Sequence, residues 1–365
     1  MIALNKPLRP NITKLTTYLE SVNESGWYTN FGPLHEQLTK RLEAYLGVKH
    51  LLLVANGTLA IQVACKTLNI NSAITTPFSF VATTSALLWQ GVNTAYSDIN
   101  PQTYNLCPTA LSNALAQDNS YDAVVATHIC GNPCDVHEIQ SVAEQYNKKI
   151  IYDAAHTFGV KLNGESILNF GDASTLSFHA TKVFHTVEGG AVVFKNKADY
   201  EKAKQLINFG IKDGDELGEP GINAKLNEYQ CAVGLTLLDD IEQVIKHRTA
   251  LFNLYCSELK GVVKLQQWHS EASLNGIYVL IYIADEYLQH SIITALATEN
   301  IQSRRYFTPS LDIAYSEQKN FGCNVSHTLT KGVICLPLHA YMTTEDVFQV
   351  TNLIKKTIQL TAVSS

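Results

Sequence analysis

Leucines recur every four positions at Leu34, Leu38, Leu42 and Leu46, between Pro33 and Gly47. This spacing predicts an amphipathic helix, opened by a proline that has no N–H to satisfy and closed by a residue free to turn left-handed. Short apolar or β-branched runs then follow: Leu51 to Val54, Ala73 to Thr76, Asn93 to Ser97, Ala123 to His128, Lys149 to Asp153, Ala173 to Ser177 and Gly190 to Phe194. Most are separated by helix-length segments. Strands buried on both faces read this way, so the pattern predicts an α/β protein with a mainly parallel sheet between layers of helices.

Beyond about residue 226 the pattern changes. A helical stretch with few breakers runs from Asn227 to Leu259. Gly276 to Ile283 reads as a strand, 286–299 as a helix, and Thr343 to Leu360 as a last helix opened by Thr343-Thr344-Glu345. These predict a smaller α+β lobe, 226–365, beside a large lobe, 1–225. No linker or repeat separates the two, so a shared interface is expected. The polar, glycine-bearing stretch from Lys212 to Gly218 reads as a loop.

With 365 residues the chain exceeds the usual size of a single core, which agrees with two lobes. A hydrophobic content of 46% with 16% charged residues is that of a compact fold. The net charge of −6, without any basic block, argues against nucleic acid or an anionic membrane as partner. No apolar run approaches the ~18–20 residues of a membrane span, and Met1 to Pro10 lacks a signal-peptide pattern. A cytoplasmic location is expected. The cysteines are scattered, and Cys130 and Cys134 have the spacing of neither a zinc knuckle nor a redox pair, so buried reduced thiols are expected.

In α/β sheets ligands bind beyond the carboxyl ends of the strands. Four segments there carry chemistry. Leu51 to Val54 leads through Asn56-Gly57-Thr58 into a helix, a turn whose free N–H groups and Thr58 hydroxyl suit a phosphate. Thr76-Pro77-Phe78-Ser79-Phe80 places an aromatic past a strand end, and Phe80 could cover one face of a flat ring. Asp153 ends a buried run and is followed by His156. A buried carboxylate needs a partner, and a pyridinium N–H would keep Asp153 ionised. A metal held by Asp153 and His156 is the competing reading, but nothing else is spaced to complete the site. Finally, Ser177-Phe178-His179-Ala180-Thr181-Lys182 sets a lysine among apolar and hydroxyl-bearing neighbours, ahead of Glu188-Gly189-Gly190. Desolvation would lower the pKa of Lys182, as an imine-forming amine requires.

This order of motifs resembles the pyridoxal-phosphate-dependent aminotransferases of the aspartate-aminotransferase fold, and within them the nucleotide-sugar aminotransferases of the DegT/StrS type. The likeness begins at Gly26-Trp27-Tyr28-Thr29-Asn30-Phe31-Gly32-Pro33 and continues through Tyr96-Ser97-Asp98-Ile99-Asn100-Pro101. It is strongest at the lysine motif, and resumes at Gly221 to Glu228 and Arg304-Arg305-Tyr306-Phe307. The resemblance implies pyridoxal 5′-phosphate as cofactor, with pyridoxamine phosphate as its aminated form. It makes Lys182 the cofactor-bearing lysine and proton carrier, with Asp153 at the ring nitrogen and His156 near the ring hydroxyl. Gly57, Thr58 and Ser177 would hold the phosphate, and Phe80 would stack on the ring. Asn223 would reach the phosphate of the neighbouring subunit, giving a homodimer with shared active sites. Tyr28, Asn30, His185, Arg305 and Tyr306 would contact substrate, and Arg304 or Arg305 would receive the carboxylate of the donor, L-glutamate. Lys225 departs from the arginine that many relatives carry there. The lysine motif most resembles enzymes that aminate C4 of dTDP-4-keto-6-deoxy-D-glucose. Amination at C3, another amino-acid-directed enzyme of this cofactor, or a non-catalytic regulator are the alternatives.

Overall fold

The protein is described here from a computed structural model, over residues 1–212 and 216–364. Of the stretch from Lys212 to Gly218, residues 213–215 therefore lie outside the described residues.

The large lobe is built on an eight-stranded sheet. Its strands are β1 (Leu51–Val54), β2 (Ser72–Thr75), β3 (Asn93–Tyr96), β4 (Ala123–Thr127), β5 (Lys149–Asp153), β8 (Ala173–Ser177), β9 (Gly190–Phe194) and β13 (Lys319–Asn320), in the order β1-β9-β8-β5-β4-β2-β3-β13. A small hairpin, β6 (Lys161–Leu162) with β7 (Glu165–Ser166), lies apart from it. Seven of the eight strands run one way; β9 alone is antiparallel to both its neighbours, β1 and β8.

Alternation along the strands explains the two helical layers. Leu51 and Leu53 face one apolar cluster, shared with α2 (Pro33–Leu46), α5 (Pro108–Gln117), α6 (Val136–Tyr146) and α8 (Glu228–Leu238). Leu52 and Val54 face the other, shared with α3 (Gly57–Thr67), α4 (Val81–Trp89) and α7 (Lys197–Leu206). Both faces of the sheet are therefore covered, as the continuous apolar runs require. The leucine repeat forms α2 as expected, with Leu34, Leu38, Leu42 and Leu46 buried and Gly47 closing it at φ 66°. Before it lies α1 (Ile12–Ser25), which buries only Val22 and so leaves little trace in the pattern.

The smaller lobe carries a four-stranded sheet ordered β10 (Lys264–Leu265), β11 (Val279–Tyr282), β14 (Val333–Leu336) and β12 (Arg304–Arg305). Around it lie α9 (Ile241–Leu259), α10 (Glu286–Thr298) and α13 (Thr344–Ser364), with α11 (Leu311–Ala314) and α12 (Asn324–Gly332) in the connections. The helical stretch expected from Asn227 to Leu259 is two helices, broken at Asp239-Asp240 between α8 and α9. Two short segments cross between the lobes. Ile2 pairs with Ile301 and joins the apolar core of the smaller lobe, while β13 leaves that lobe to pair with β3.

Candidate active site

Five strand ends of the large sheet, those of β1, β2, β4, β5 and β8, open on one cavity of about 360 Å³. At the end of β1 the chain turns at Asn56 into α3. Asn56 Oδ1 accepts from the Leu59 N–H at 2.8 Å, and its carbonyl accepts from the Ala60 N–H at 3.1 Å. The N–H groups of Gly57 and Thr58 precede the first bond of the helix and line the cavity, which makes this helix end a seat for an anion. Ser177, at the end of β8, closes on the same turn. A Cβ on Gly57 would lie 2.8 Å from Ser177 Cβ, and one on Gly190 would lie 2.7 Å from the Asn56 backbone. Only glycine lets these three segments approach so closely.

Asp153 stands at the end of β5, 6% exposed. Thr83 Oγ1 donates to its Oδ2 at 2.6 Å, and the Ala155 N–H donates to its Oδ1 at 3.1 Å. Burial pushes the Asp153 carboxyl up; these two donors and the charge on Lys182 oppose that. Lys182 lines the same cavity. Burial lowers its ammonium to about 8, against the pull of Asp153. Among the described residues no hydrogen bond or ion pair engages its Nζ. His156 is buried in the wall, edge-on to Tyr278 at 5.1 Å, and burial with the nearby Lys182 charge holds it well below the usual imidazole range. Phe80 caps α4 at the mouth and is 48% exposed.

These groups fit a flat, phosphate-bearing heteroaromatic ring. The α3 end receives a phosphate, Asp153 offers a buried carboxylate to a ring N–H, and Lys182 offers an amine neutral enough to attack an aldehyde. A metal fits less well, since no group of three ligand side chains is present among the described residues.

The structure thus brings Gly57, Thr58, Phe80, Asp153, His156, Ser177, Lys182 and Tyr306 into one cavity. Other expected site residues stand outside its lining. His185 is buried with both ring nitrogens engaged: Nδ1 accepts from the Val187 N–H at 3.1 Å and Nε2 donates to the Leu8 carbonyl at 3.0 Å. Arg305 donates to the Lys331 carbonyl at 3.3 Å, whereas its neighbour Arg304, on the other face of β12, lines the cavity. The Arg304 guanidinium lies 5.1 Å from the Tyr306 ring centre. Tyr28 and Asn30 are exposed on the approach to α2, and Asn223 is exposed beside Asn208.

Sequence reasoning missed Asn5, Ser79, Thr83, Thr127 and Tyr278, all of which line the cavity. Thr83 could have been found, since a buried strand-end carboxylate demands donors and the segment after β2 is rich in hydroxyls. Asn5 carries no such signal, because it arrives from a distant part of the chain.

A model of the DegT/DnrJ/EryC1/StrS aminotransferase family matches residues 11–355. The dTDP-4-amino-4,6-dideoxy-D-glucose transaminase of Shigella dysenteriae is 34% identical over 353 residues, covering 94% of this chain and 95% of its own. Its namesake from Escherichia coli is 32% identical over 364 residues, covering 97% and 98%. A crystal structure of DesI in the presence of its TDP-sugar product superposes with a TM-score of 0.92 at 29% identity, covering 100% of this chain and 95% of that one.

Proposed function

The chain belongs to the DegT/DnrJ/EryC1/StrS aminotransferase family, which depends on pyridoxal phosphate, and on that footing we propose that it aminates C4 of dTDP-4-keto-6-deoxy-D-glucose with L-glutamate as donor. The product would be dTDP-4-amino-4,6-dideoxy-D-glucose. The observation that carries this reading is one cavity in which Lys182, Asp153 and the open end of α3 meet, in a chain that matches two C4 sugar transaminases nearly end to end.

When bound, the cofactor supplies an aldehyde that captures amines and a ring that draws electrons from the captured carbon. The protein supplies the rest. The N–H groups of Gly57 and Thr58, with the Ser177 hydroxyl, hold the phosphate. Asp153, steadied by Thr83, keeps a proton on the ring nitrogen; His156 lies beside the ring and Phe80 covers a face. Lys182 is the attachment point and then the base that moves the proton at the substrate carbon. Arg304, with Tyr306 beneath it, replaces Arg305 as the cation at the cavity and is assigned to the donor carboxylate. Tyr28, Asn30 and Asn223, exposed outside this cavity, act across the interface of a homodimer. The lobes are taken as 1–225 and 226–365, with Ile2 and β13 exchanged between them. No helix among the described residues is long and apolar enough to cross a membrane. We place the reaction in the cytoplasm, where nucleotide sugars are made.

The test is incubation with ¹⁵N-glutamate and the 4-keto sugar nucleotide, with mass spectrometry and NMR of the product. Nitrogen at C4 supports the proposal. Nitrogen at C3 of a 3-keto analogue only, or turnover of amino acids alone, overturns it.

A further inference from the structure

The first residues of the chain do more than begin it. Ile2 donates to the Asn300 carbonyl at 2.9 Å, Gln302 donates back to the Ile2 carbonyl at 2.9 Å, and the Leu4 carbonyl accepts from Leu338 at 3.2 Å. This anchors the segment to the smaller lobe. From there it runs past the cavity, which Leu4 and Asn5 line, to the loop that carries Lys182.

Two contacts join it to that loop, one on each side of Lys182. Asn5 Nδ2 donates to the Thr181 carbonyl, the one immediately before Lys182. The Leu8 carbonyl accepts from His185 Nε2 at 3.0 Å, three residues after it. The Lys182 N–H is also held, by the His179 carbonyl at 2.9 Å. Since a peptide unit is planar, fixing its C=O and its N–H fixes the plane from which the Lys182 side chain departs. His185 cannot swing away, because its other nitrogen accepts from Val187. Farther along, the Arg9 N–H donates to the Tyr341 hydroxyl at 2.8 Å, so the segment is tied down beyond the loop as well.

We propose that residues 2–9 form a strap that positions Lys182, with Asn5 as the positioning residue acting through the Thr181 carbonyl. The strap holds the amine inside the cavity, in the desolvated surroundings that make its neutral form far more accessible than in an ordinary lysine. Without the Asn5 bond the Thr181–Lys182 peptide turns more freely and the amine gains water, so it behaves more like an ordinary lysine.

The inference rests on Lys182 being the cofactor-bearing amine, and one experiment separates the two. Cofactor-free protein is mixed with pyridoxal phosphate from pH 6 to 10, and the rate of covalent attachment is followed by borohydride trapping and intact mass. Wild type is expected to show an inflection near 8. Asn5→Leu, which is close in size and uncharged but cannot donate, should move the inflection up by about half to one unit and slow attachment at pH 7 by about three- to tenfold. Asn5→Ala should do the same, and stands in should the leucine variant fold poorly. In loaded enzyme kcat should fall while KM for the sugar substrate changes less than about twofold. An unchanged inflection and rate in a folded Asn5 variant overturns the strap, whatever happens to its melting temperature. Failure of wild type to attach at Lys182 overturns the assignment beneath it.

Discussion

Asp153 shows how its neighbours set the charge of a single buried side chain. Its carboxyl is driven up by burial and drawn down by Thr83, Ala155 and Lys182, so its charge depends on each of these neighbours. Asp153→Asn should leave the protein folded and able to attach cofactor at Lys182, yet slow proton removal from the donor by about 10²-fold or more. Rapid-mixing spectroscopy of single turnovers reads this; equal rates in mutant and wild type would make Asp153 structural. Thr83→Val keeps volume and deletes a donor 2.6 Å from the carboxylate. A charge-assisted bond of this kind contributes about 1.5–3 kcal/mol, so cofactor retention on dialysis should weaken by about tenfold or more, and Thr83→Ser should restore it. Retention equal to wild type in Thr83→Val would remove Thr83 from the site.

At the scale of elements, what was legible depended on where apolar residues are contiguous. β1, β5, β8 and β9 fall on the expected residues because strands covered on both faces must be apolar throughout. β3 and β4 each stop one residue short of the expected run and β2 is shifted by one residue, at ends where hydrogen bonding rather than burial sets the limit. The reversal of β9, the addition of β13 to β3 and the pairing of Ile2 with Ile301 are long-range choices made by two to five residues each, and no local pattern specifies them. The site divides in the same way. Asp153 and Ser177 end strands, Gly57, Thr58 and Lys182 lie just past strand ends, and all five were readable there. Asn5, Thr83 and Tyr278 reach the cavity from other elements and were not, whereas Arg304, one of the two arginines named for the donor carboxylate, does line it. His185 and Arg305, expected at the substrate, lie outside the cavity lining and bond to backbone carbonyls; Arg305 does so because successive residues of a strand face opposite ways. α8 offers a test of element packing. Glu228, 1% exposed at its first turn, accepts from the N–H groups of Leu34 and His35, each at 2.8 Å, and so caps α2 from another helix. Glu228→Ala should cost about 2–3 kcal/mol in denaturant unfolding; a loss under about 0.5 kcal/mol would contradict the cap.

Across the whole molecule several exposed residues bear on the homodimer proposed above. Tyr28 and Tyr229 pack edge to face at 5.9 Å, yet remain 49% and 46% exposed, and Phe209 and Ile222 beside Asn223 are 53% and 46% exposed. Such surface is expected to be covered by a partner. If Asn223 serves the neighbouring site, mixing inactive Asn223→Asp subunits with inactive Lys182→Ala subunits should restore activity. Half the dimers are then mixed, each with one sound site, so recovery should approach about a quarter of wild type. No recovery after verified exchange would confine Asn223 to its own subunit, or to no site.

The proposed role of Lys182 underlies the whole reaction. It is tested most directly by borohydride reduction of the loaded enzyme, proteolysis and mass mapping. One pyridoxyl-phosphate adduct per chain is expected, on the peptide containing Lys182, and a folded Lys182→Ala protein with no adduct and turnover at least about 10²-fold lower. An adduct on another lysine, or a Lys182→Ala enzyme that still transaminates at the wild-type rate, would contradict it.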